Sequence, residues 1–148
     1  MSKTLIICHV VFATKHRKKS LNPDSTRELY AVLYHLLKKE KCWTYRINGM
    51  ADHIHIVFDL NPALPLAELI KKLKWGSNKW LSLNADFPGF DGWGKGYFAV
   101  SVSPQDKEGV IEYVKNQQQH HSTGDFMAEI ENLIKLYEMD WFPDDWEG

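Results

Sequence analysis

The sequence predicts an α+β domain, a four-stranded antiparallel sheet with helices on one face and two further helices after it. Three observations predict it: the order β-α-β-β-α-β along the chain, a turn-like Gly49-Met50-Ala51-Asp52 joining two strands as a hairpin, and apolar residues at helical spacing between the other strands. That order is the split βαβ, or ferredoxin-like, arrangement.

Leu5 to Ala13 is β-branched and mostly apolar and stops at the basic cluster Lys15-His16-Arg17-Lys18-Lys19, so it reads as a strand emptying into a charged loop. Asn22-Pro23-Asp24 supplies a helix start, and Leu29, Val32, Leu33, Leu36 and Leu37 carry the helical period to about Lys41. Lys38, Lys39 and Lys41 suit the negative end of its dipole. The hairpin strands are Trp43 to Asn48 and His53 to Leu60. Asn61-Pro62-Ala63-Leu64-Pro65 breaks the second, and Leu66, Leu69, Ile70, Leu73, Trp80 and Leu81 define a basic helix to Leu83 that carries Lys71, Lys72, Lys74 and Lys79. A loop holding Gly89, Gly92, Gly94 and Gly96 leads to a strand from Tyr97 to Ser103, ended by Pro104. A third helix is predicted from Asp106 to Gln119, and a last one from Asp125 to about Glu138. Strand one is expected to be an exposed edge.

At 148 residues, 44% apolar and 25% charged, the chain is sized for one domain (1–148, with 125–148 as an acidic C-terminal helix and tail). Disorder, collagen and disulfide scaffolds are excluded. Cys8 and Cys42 give no CxxC spacing, no stretch nears the ~20 apolar residues of a membrane span, and Met1 to Lys19 lacks a signal-peptide pattern. The expectation is a cytoplasmic protein with reduced thiols and no membrane partner. A net charge of -1 at first argues against nucleic acid. Its distribution reverses that: residues 125–148 hold eight acids against one base, -7, which leaves 17 bases and 11 acids, +6, in residues 1–124. On this reading the acidic tail limits non-specific phosphate binding or lies against a basic face.

In His53-Ile54-His55-Ile56-Val57-Phe58 the side chains alternate, so the imidazoles share one face and the apolar set packs on the helices from the other. Two imidazoles at that spacing can chelate a metal ion on an open sheet face, and they also read as ordinary half-exposed strand histidines. Tyr113 and Gln117, four apart, are neighbours on one helix face. A phenol with pKa near 10 becomes a feasible nucleophile where a metal polarises a phosphate. Gln117 can add an amide oxygen, though Tyr113 also reads as a core aromatic and Gln117 as solvated.

Taken together, Asp52-His53-Ile54-His55 and Glu112-Tyr113-Val114-Lys115-Asn116-Gln117 resemble the His-hydrophobic-His strand and Tyr-x-x-x-Gln helix of the single-tyrosine transposases of the HUH nuclease superfamily, including insertion-sequence and repeat-associated members. His9 and Phe12 with Lys15-x-Arg17, Leu69 to Lys74, Trp93-Gly94-Lys95-Gly96-Tyr97, and Gln119-His120-His121 extend the likeness over Thr4 to Asp140. The resemblance implies cutting and rejoining of single-stranded, hairpin-containing DNA through a 5′-phosphotyrosine, with Mg²⁺ or Mn²⁺ and no nucleotide cofactor. Carried over by position, it makes Tyr113 the nucleophile and His53, His55 and Gln117 the metal ligands. It also implies a homodimer whose sheets join side by side, which strand one is placed to provide.

For DNA, Lys15, Arg17, Lys18, Lys19, Lys71, Lys72 and Lys74 are candidate phosphate contacts, and Trp75, Trp93 and Tyr97 candidate stacking platforms. Each also reads as a solvated lysine or a core aromatic. His120 and His121 read as metal or DNA contacts or as a helix-end pair. Two other functions share these features: a catalytically silent hairpin-binding protein, and an unrelated hydrolase in which His120 or His121 joins His53 and His55 around Zn²⁺.

Overall fold

The structure, a computed structural model, describes residues 1–120 and 125–139. Its elements are β1 (Ile7–Ala13), α1 (Thr26–Lys39), β2 (Trp43–Met50), β3 (His53–Asp59), α2 (Leu66–Ser82), β4 (Phe98–Ser101), α3 (Lys107–Lys115), α4 (Gln117–His120) and α5 (Phe126–Leu136). The strands lie in the order β2-β3-β1-β4, every neighbouring pair antiparallel, as a split βαβ fold requires. β1 is therefore an inner strand, hydrogen-bonded to β3 on one side and β4 on the other, and not the expected edge. Its whole length is buried, which is why it reads as a near-continuous apolar run. The edges are β2 and β4.

Strand alternation sorts the core into two sides. Cys8, Val10 and Phe12 of β1 and Ile54, Ile56 and Phe58 of β3 pack with Leu29, Leu33 and Leu37 of α1 and Leu69, Ile70 and Leu73 of α2. Truncating one of these leucines to alanine costs about 2–5 kcal/mol, since transfer and cavity terms add. The opposite face is covered too: Val11, Ala13 and Phe98 meet Phe126, Ile130, Leu133 and Ile134 of α5, while Ile7 and Val57 meet Val114 of α3. The imidazoles thus do not stand on an open face. His53 and His55 are both 0% exposed.

Two element boundaries differ from the sequence reading for local reasons. Asn22 to Ser25 closes a turn before α1, with Asn22 Oδ1 accepting from the Asp24 amide at 3.1 Å and Ser25 N–H donating to the Asn22 carbonyl at 3.0 Å. The third helix is not continuous to Gln119, because Asn48 Nδ2 donates to the carbonyls of Val114 and Lys115, each at 3.0 Å. Those two carbonyls would otherwise take the helical amides of Gln118 and Gln119. The chain turns at Asn116 and restarts as α4.

The glycine loop ahead of β4 extends the sheet end by backbone hydrogen bonds. Lys15 N–H donates to Gly92 O at 2.9 Å and Gly94 N–H to Ala13 O at 2.8 Å. Gly92 has φ +127°, a conformation L side chains rarely adopt.

α5 is not an appendage laid against a basic face. Phe126, Ile130, Leu133 and Ile134 are core residues, so removing residues 125–148 would strip one side of the sheet and could not isolate a charge effect.

Candidate active site

The β2–β3 hairpin fixes the two histidines. Met50 pairs with His53 and Asn48 with His55, while the neighbouring register puts Ala13 opposite His53 and Val11 opposite His55. Asn48 and Gln118 exchange side-chain hydrogen bonds at 3.1 and 3.0 Å, and Gln118 also donates to Gly49 O at 3.0 Å. This clamp holds α4 at the hairpin and turns Gln117 inward, where it is 0% exposed.

Side chains from β3, α3, α4 and α5 converge. Glu129 Oε1 lies 3.1 Å from His53 Nε2 and 3.1 Å from His55 Nε2. Gln117 Oε1 lies 3.2 Å from His53 Nε2, and its amide nitrogen donates to Glu129 Oε2 at 3.1 Å. Tyr113, on α3, donates its hydroxyl to the same Oε2. One atom each from His53, His55 and Glu129 fall within 4.8 Å of one another. Nitrogen and oxygen donors facing one point, with the amide oxygen of Gln117 turned to the same side, fit a divalent cation.

Behind the donors stands a supporting layer. Asp52 Oδ1 is 2.7 Å from His53 Nδ1, so the carboxylate takes that N–H and leaves Nε2 facing inward. Behind His55, Nδ1 is 2.9 Å from Nε2 of His9, a buried β1 residue stacked on it at 5.1 Å. The electrostatics follow. Burial would lower the His53 pKa, but the hydrogen bonds it donates to Asp52 and Glu129, and their charges, carry it up to about 9. His9 is lowered to about 3, by burial first and then by neighbouring His55. Burial, followed by the hydrogen bond to the Glu129 carboxylate, pushes Tyr113 above the ordinary phenol range.

The structure brings His53, His55, Tyr113 and Gln117 together as the sequence motifs require. Glu129 is not anticipated by the sequence, where it counts among the acids of the tail. The available signal is its place in the apolar stripe Phe126, Ile130, Leu133, where an acid on a buried helix face demands a partner. His9, singled out only for the resemblance, gains a place in the site because odd-numbered β1 residues face the same side as His53 and His55. His121 lies outside the described residues, as do residues 122–124 and 140–148.

A basic groove of about 760 Å³ opens at the same end of the sheet, lined by Lys15, Lys71, Lys74, Trp75, Trp93 and Lys95 among others. Lys15 sits in a turn with His16 and Arg17 at φ 58° and 54°, pinned by Arg17 N–H to Thr14 O at 2.9 Å and Thr14 Oγ1 to Lys18 O at 2.6 Å. Lys74 donates to Gly94 O and Gly96 O, both at 2.8 Å, so it braces the loop as well as lining the groove. Trp93 packs edge-on against Phe12 and donates Nε1–H to Ser77 Oγ at 2.9 Å, whereas Trp75 is 70% exposed. Arg17, Lys18 and Tyr97 do not line this groove.

Residues 2–117 match the IS200-like transposase family. The chain belongs to that family. The IS200 insertion-element transposases of Salmonella typhimurium and Salmonella typhi are each 23% identical over 125 residues, spanning 81% of this chain and 82% of theirs. A putative transposase from Deinococcus radiodurans R1 superposes with a TM-score of 0.60 at 20% identity, over 78% of this chain and 93% of that one. A REP-associated tyrosine transposase, solved bound to a REP hairpin, gives 0.63 at 10% identity, over 100% of this chain and 90% of that one. These likenesses show the shared fold. The family match takes in His9, His53, His55, Tyr113 and Gln117 and stops before α5, so Glu129 lies beyond it. No helix among the described residues is long and apolar enough to cross a membrane.

Proposed function

We propose that this transposase-family chain nicks and rejoins single-stranded, hairpin-containing DNA, with Tyr113 as nucleophile and a divalent cation, Mg²⁺ or Mn²⁺, at the histidine pair. One observation carries the reading: the Tyr113 hydroxyl is hydrogen-bonded to the carboxylate that faces both His53 and His55. A purely binding protein has no need to converge a phenol on a set of metal donors.

His53, His55, Glu129 and Gln117 are the donors that would hold the cation. When bound, it supplies Lewis-acid polarisation of the scissile phosphate and offsets charge on the phosphoryl oxygens. Glu129 Oε2 takes the phenolic proton as the Tyr113 oxygen attacks phosphorus. The phosphorus–O3′ bond breaks, and the departing 3′-oxygen takes up a proton to become a free hydroxyl. The 5′-phosphotyrosine keeps one ester bond for another, so attack by a second 3′-hydroxyl reverses the step without a nucleotide cofactor.

The basic groove supports hairpin DNA as the substrate, with Lys15 and Lys71 on phosphates and exposed Trp75 available for stacking. The hairpin-bound relative of the same fold favours this class. A homodimer formed by sheet pairing would use β2 or β4, the edges of this sheet.

The test is an adduct assay. Incubation with hairpin-bearing single-stranded DNA and Mn²⁺ should give a covalent protein–DNA species that Tyr113→Phe abolishes. Binding without adduct across a broad hairpin set would reduce the chain to a binding protein, and metal-dependent cleavage surviving Tyr113→Phe would assign a hydrolase.

A further inference from the structure

Among the described residues, His9 is the one histidine of the site that faces no cation donor point, and it is 0% exposed in the middle of an inner strand. Its ring is walled in by His55, by Phe98 at 6.1 Å and by Tyr113 at 6.2 Å, all edge or stacked contacts that a purely apolar ring could make. Its nitrogens are what distinguish it. Nε2 lies 2.9 Å from His55 Nδ1, and Nδ1 has no hydrogen-bond partner among the described residues. A buried polar atom left unpaired is a standing cost that an aliphatic residue would avoid.

The pattern has a chemical reason if His55 must offer its Nε2 lone pair. A neutral imidazole carries a single ring proton, so a free Nε2 lone pair requires that proton on Nδ1. That N–H points at His9 Nε2, which must then accept, and His9 in turn must keep its own proton on Nδ1, the partnerless atom. With no cation, the opposite arrangement serves: His55 Nε2–H faces Glu129 Oε1 at 3.1 Å, and His55 Nδ1 accepts from His9 Nε2–H. A group behind His55 must therefore both accept and donate at one atom. Imidazole does this by moving its single proton, with no change in net charge.

We propose that His9 is a positioning residue that fixes the tautomer and ring orientation of His55 as a metal ligand. The inference rests on the metal reading above and adds to it a residue that does not touch the cation. Outer partners of ligating histidines typically contribute about 10–100-fold in metal affinity.

The experiment titrates Mn²⁺ into the full chain by calorimetry, comparing wild type with His9→Phe, which keeps a ring but no acceptor, and His9→Gln, which keeps an amide that can accept or donate. His9→Phe is expected to bind about 10–100-fold more weakly, with His9→Gln recovering most of the loss. A folded His9→Phe with wild-type affinity overturns the assignment while leaving the metal reading standing. Should His9→Phe not fold, long-range proton–nitrogen NMR on Zn²⁺-loaded wild type decides: protons on Nδ1 of both His55 and His9 support the proposal, and a proton on His9 Nε2 overturns it. Mn²⁺ binding that persists unchanged in a His53→Ala, His55→Ala double variant removes the metal reading and this inference together.

Discussion

Tyr113 and Glu129 are hydrogen-bonded across the gap between α3 and α5, hydroxyl to Oε2, while Oε1 of the same carboxylate lies 3.1 Å from both His53 Nε2 and His55 Nε2. One carboxylate thus faces the proposed nucleophile with one oxygen and the proposed metal donors with the other. Glu129→Gln keeps the shape and a hydrogen-bonding oxygen but removes the charge. Mn²⁺ affinity by calorimetry should fall at least about tenfold, because an anionic ligand to a hard cation is removed. The adduct rate should fall about 10²-fold or more, by the usual loss on removing a positioned proton acceptor. A variant with wild-type binding and rate would exclude Glu129 from both roles.

At the proposed cation site, His53 makes binding a competition with protons. Its pKa of about 9 means that at neutral pH, without cation, the ring is protonated, held between Asp52 and Glu129. Binding must expel one proton, so Mn²⁺ affinity should climb by up to about tenfold per pH unit and level off near pH 9. Calorimetry in two buffers of different ionisation enthalpy counts the proton released. The folded-state pKa is raised, so the same pair stabilises the metal-free protein fully below the unfolded value near 6.5 and loses that contribution as pH rises through about 9. Asp52→Asn, which removes one of the two raising partners, should move both profiles to lower pH.

His9 has the opposite sign. Its pKa is depressed to about 3, so its neutral burial contributes nothing adverse above 6.5 and becomes destabilising as pH falls from 6.5 toward 3, where the unfolded chain takes up the proton first. The slope is about 1.4 kcal/mol per pH unit. Urea unfolding at pH 6.5 and pH 5 should show wild type losing about 2 kcal/mol more than His9→Phe over that interval. Equal losses would mean that His9 is solvated or paired in a way its burial does not allow.

Much of this site was legible because strand and helix periods map residues to faces before any coordinates exist. Ile54, Ile56 and Phe58 on one side and His53 and His55 on the other follow from a period of two, and the structure keeps that division. What the period cannot supply is the partner of a face. An open imidazole face is expected because the β-α-β-β-α-β unit places α1 and α2 on one side only, and nothing local says that α3 and α5 close the other. Glu129 shows the same limit, since net charge counts an acid equally whether it is solvated or 9% exposed beside two histidines. Strand order is the third case: β1 becomes an inner strand through pairing with β4, about 90 residues away in sequence, and its near-continuous apolar run, broken by His9, is the local trace of that.

Gly49 tests how tightly the hairpin sets the ligand spacing. It sits opposite Ile54, and a Cβ there would come within 2.2 Å of the His53 carbonyl oxygen and 2.9 Å of Ile54 Cα. Both are backbone atoms, so relief requires β2 to move away from β3. Gly49→Ala should cost about 1–3 kcal/mol in urea unfolding, as overpacking does, and should weaken Mn²⁺ binding because His53 shifts with its carbonyl. Gly96, whose added Cβ meets nothing within 4 Å, is the control, and Gly96→Ala should leave the metal site intact.

On the proposed DNA path, the groove separates lysines free to meet phosphate from lysines that build the wall. Lys15 and Lys71 line it, whereas the Lys74 ammonium already serves Gly94 and Gly96 and has its pKa lowered by burial. Lys15→Ala with Lys71→Ala should weaken hairpin binding at every sequence tested and reduce the slope of log affinity against log salt by about 2, one for each phosphate left without its lysine. Lys74→Met should act differently, lowering stability and perturbing the Trp93 loop with a smaller change in slope, since its charge is partly spent on carbonyls. Fluorescence anisotropy with a labelled hairpin over a salt series distinguishes the two. An unchanged slope in the double variant would move the DNA path off this groove and toward Arg17 and Lys18, which lie outside it.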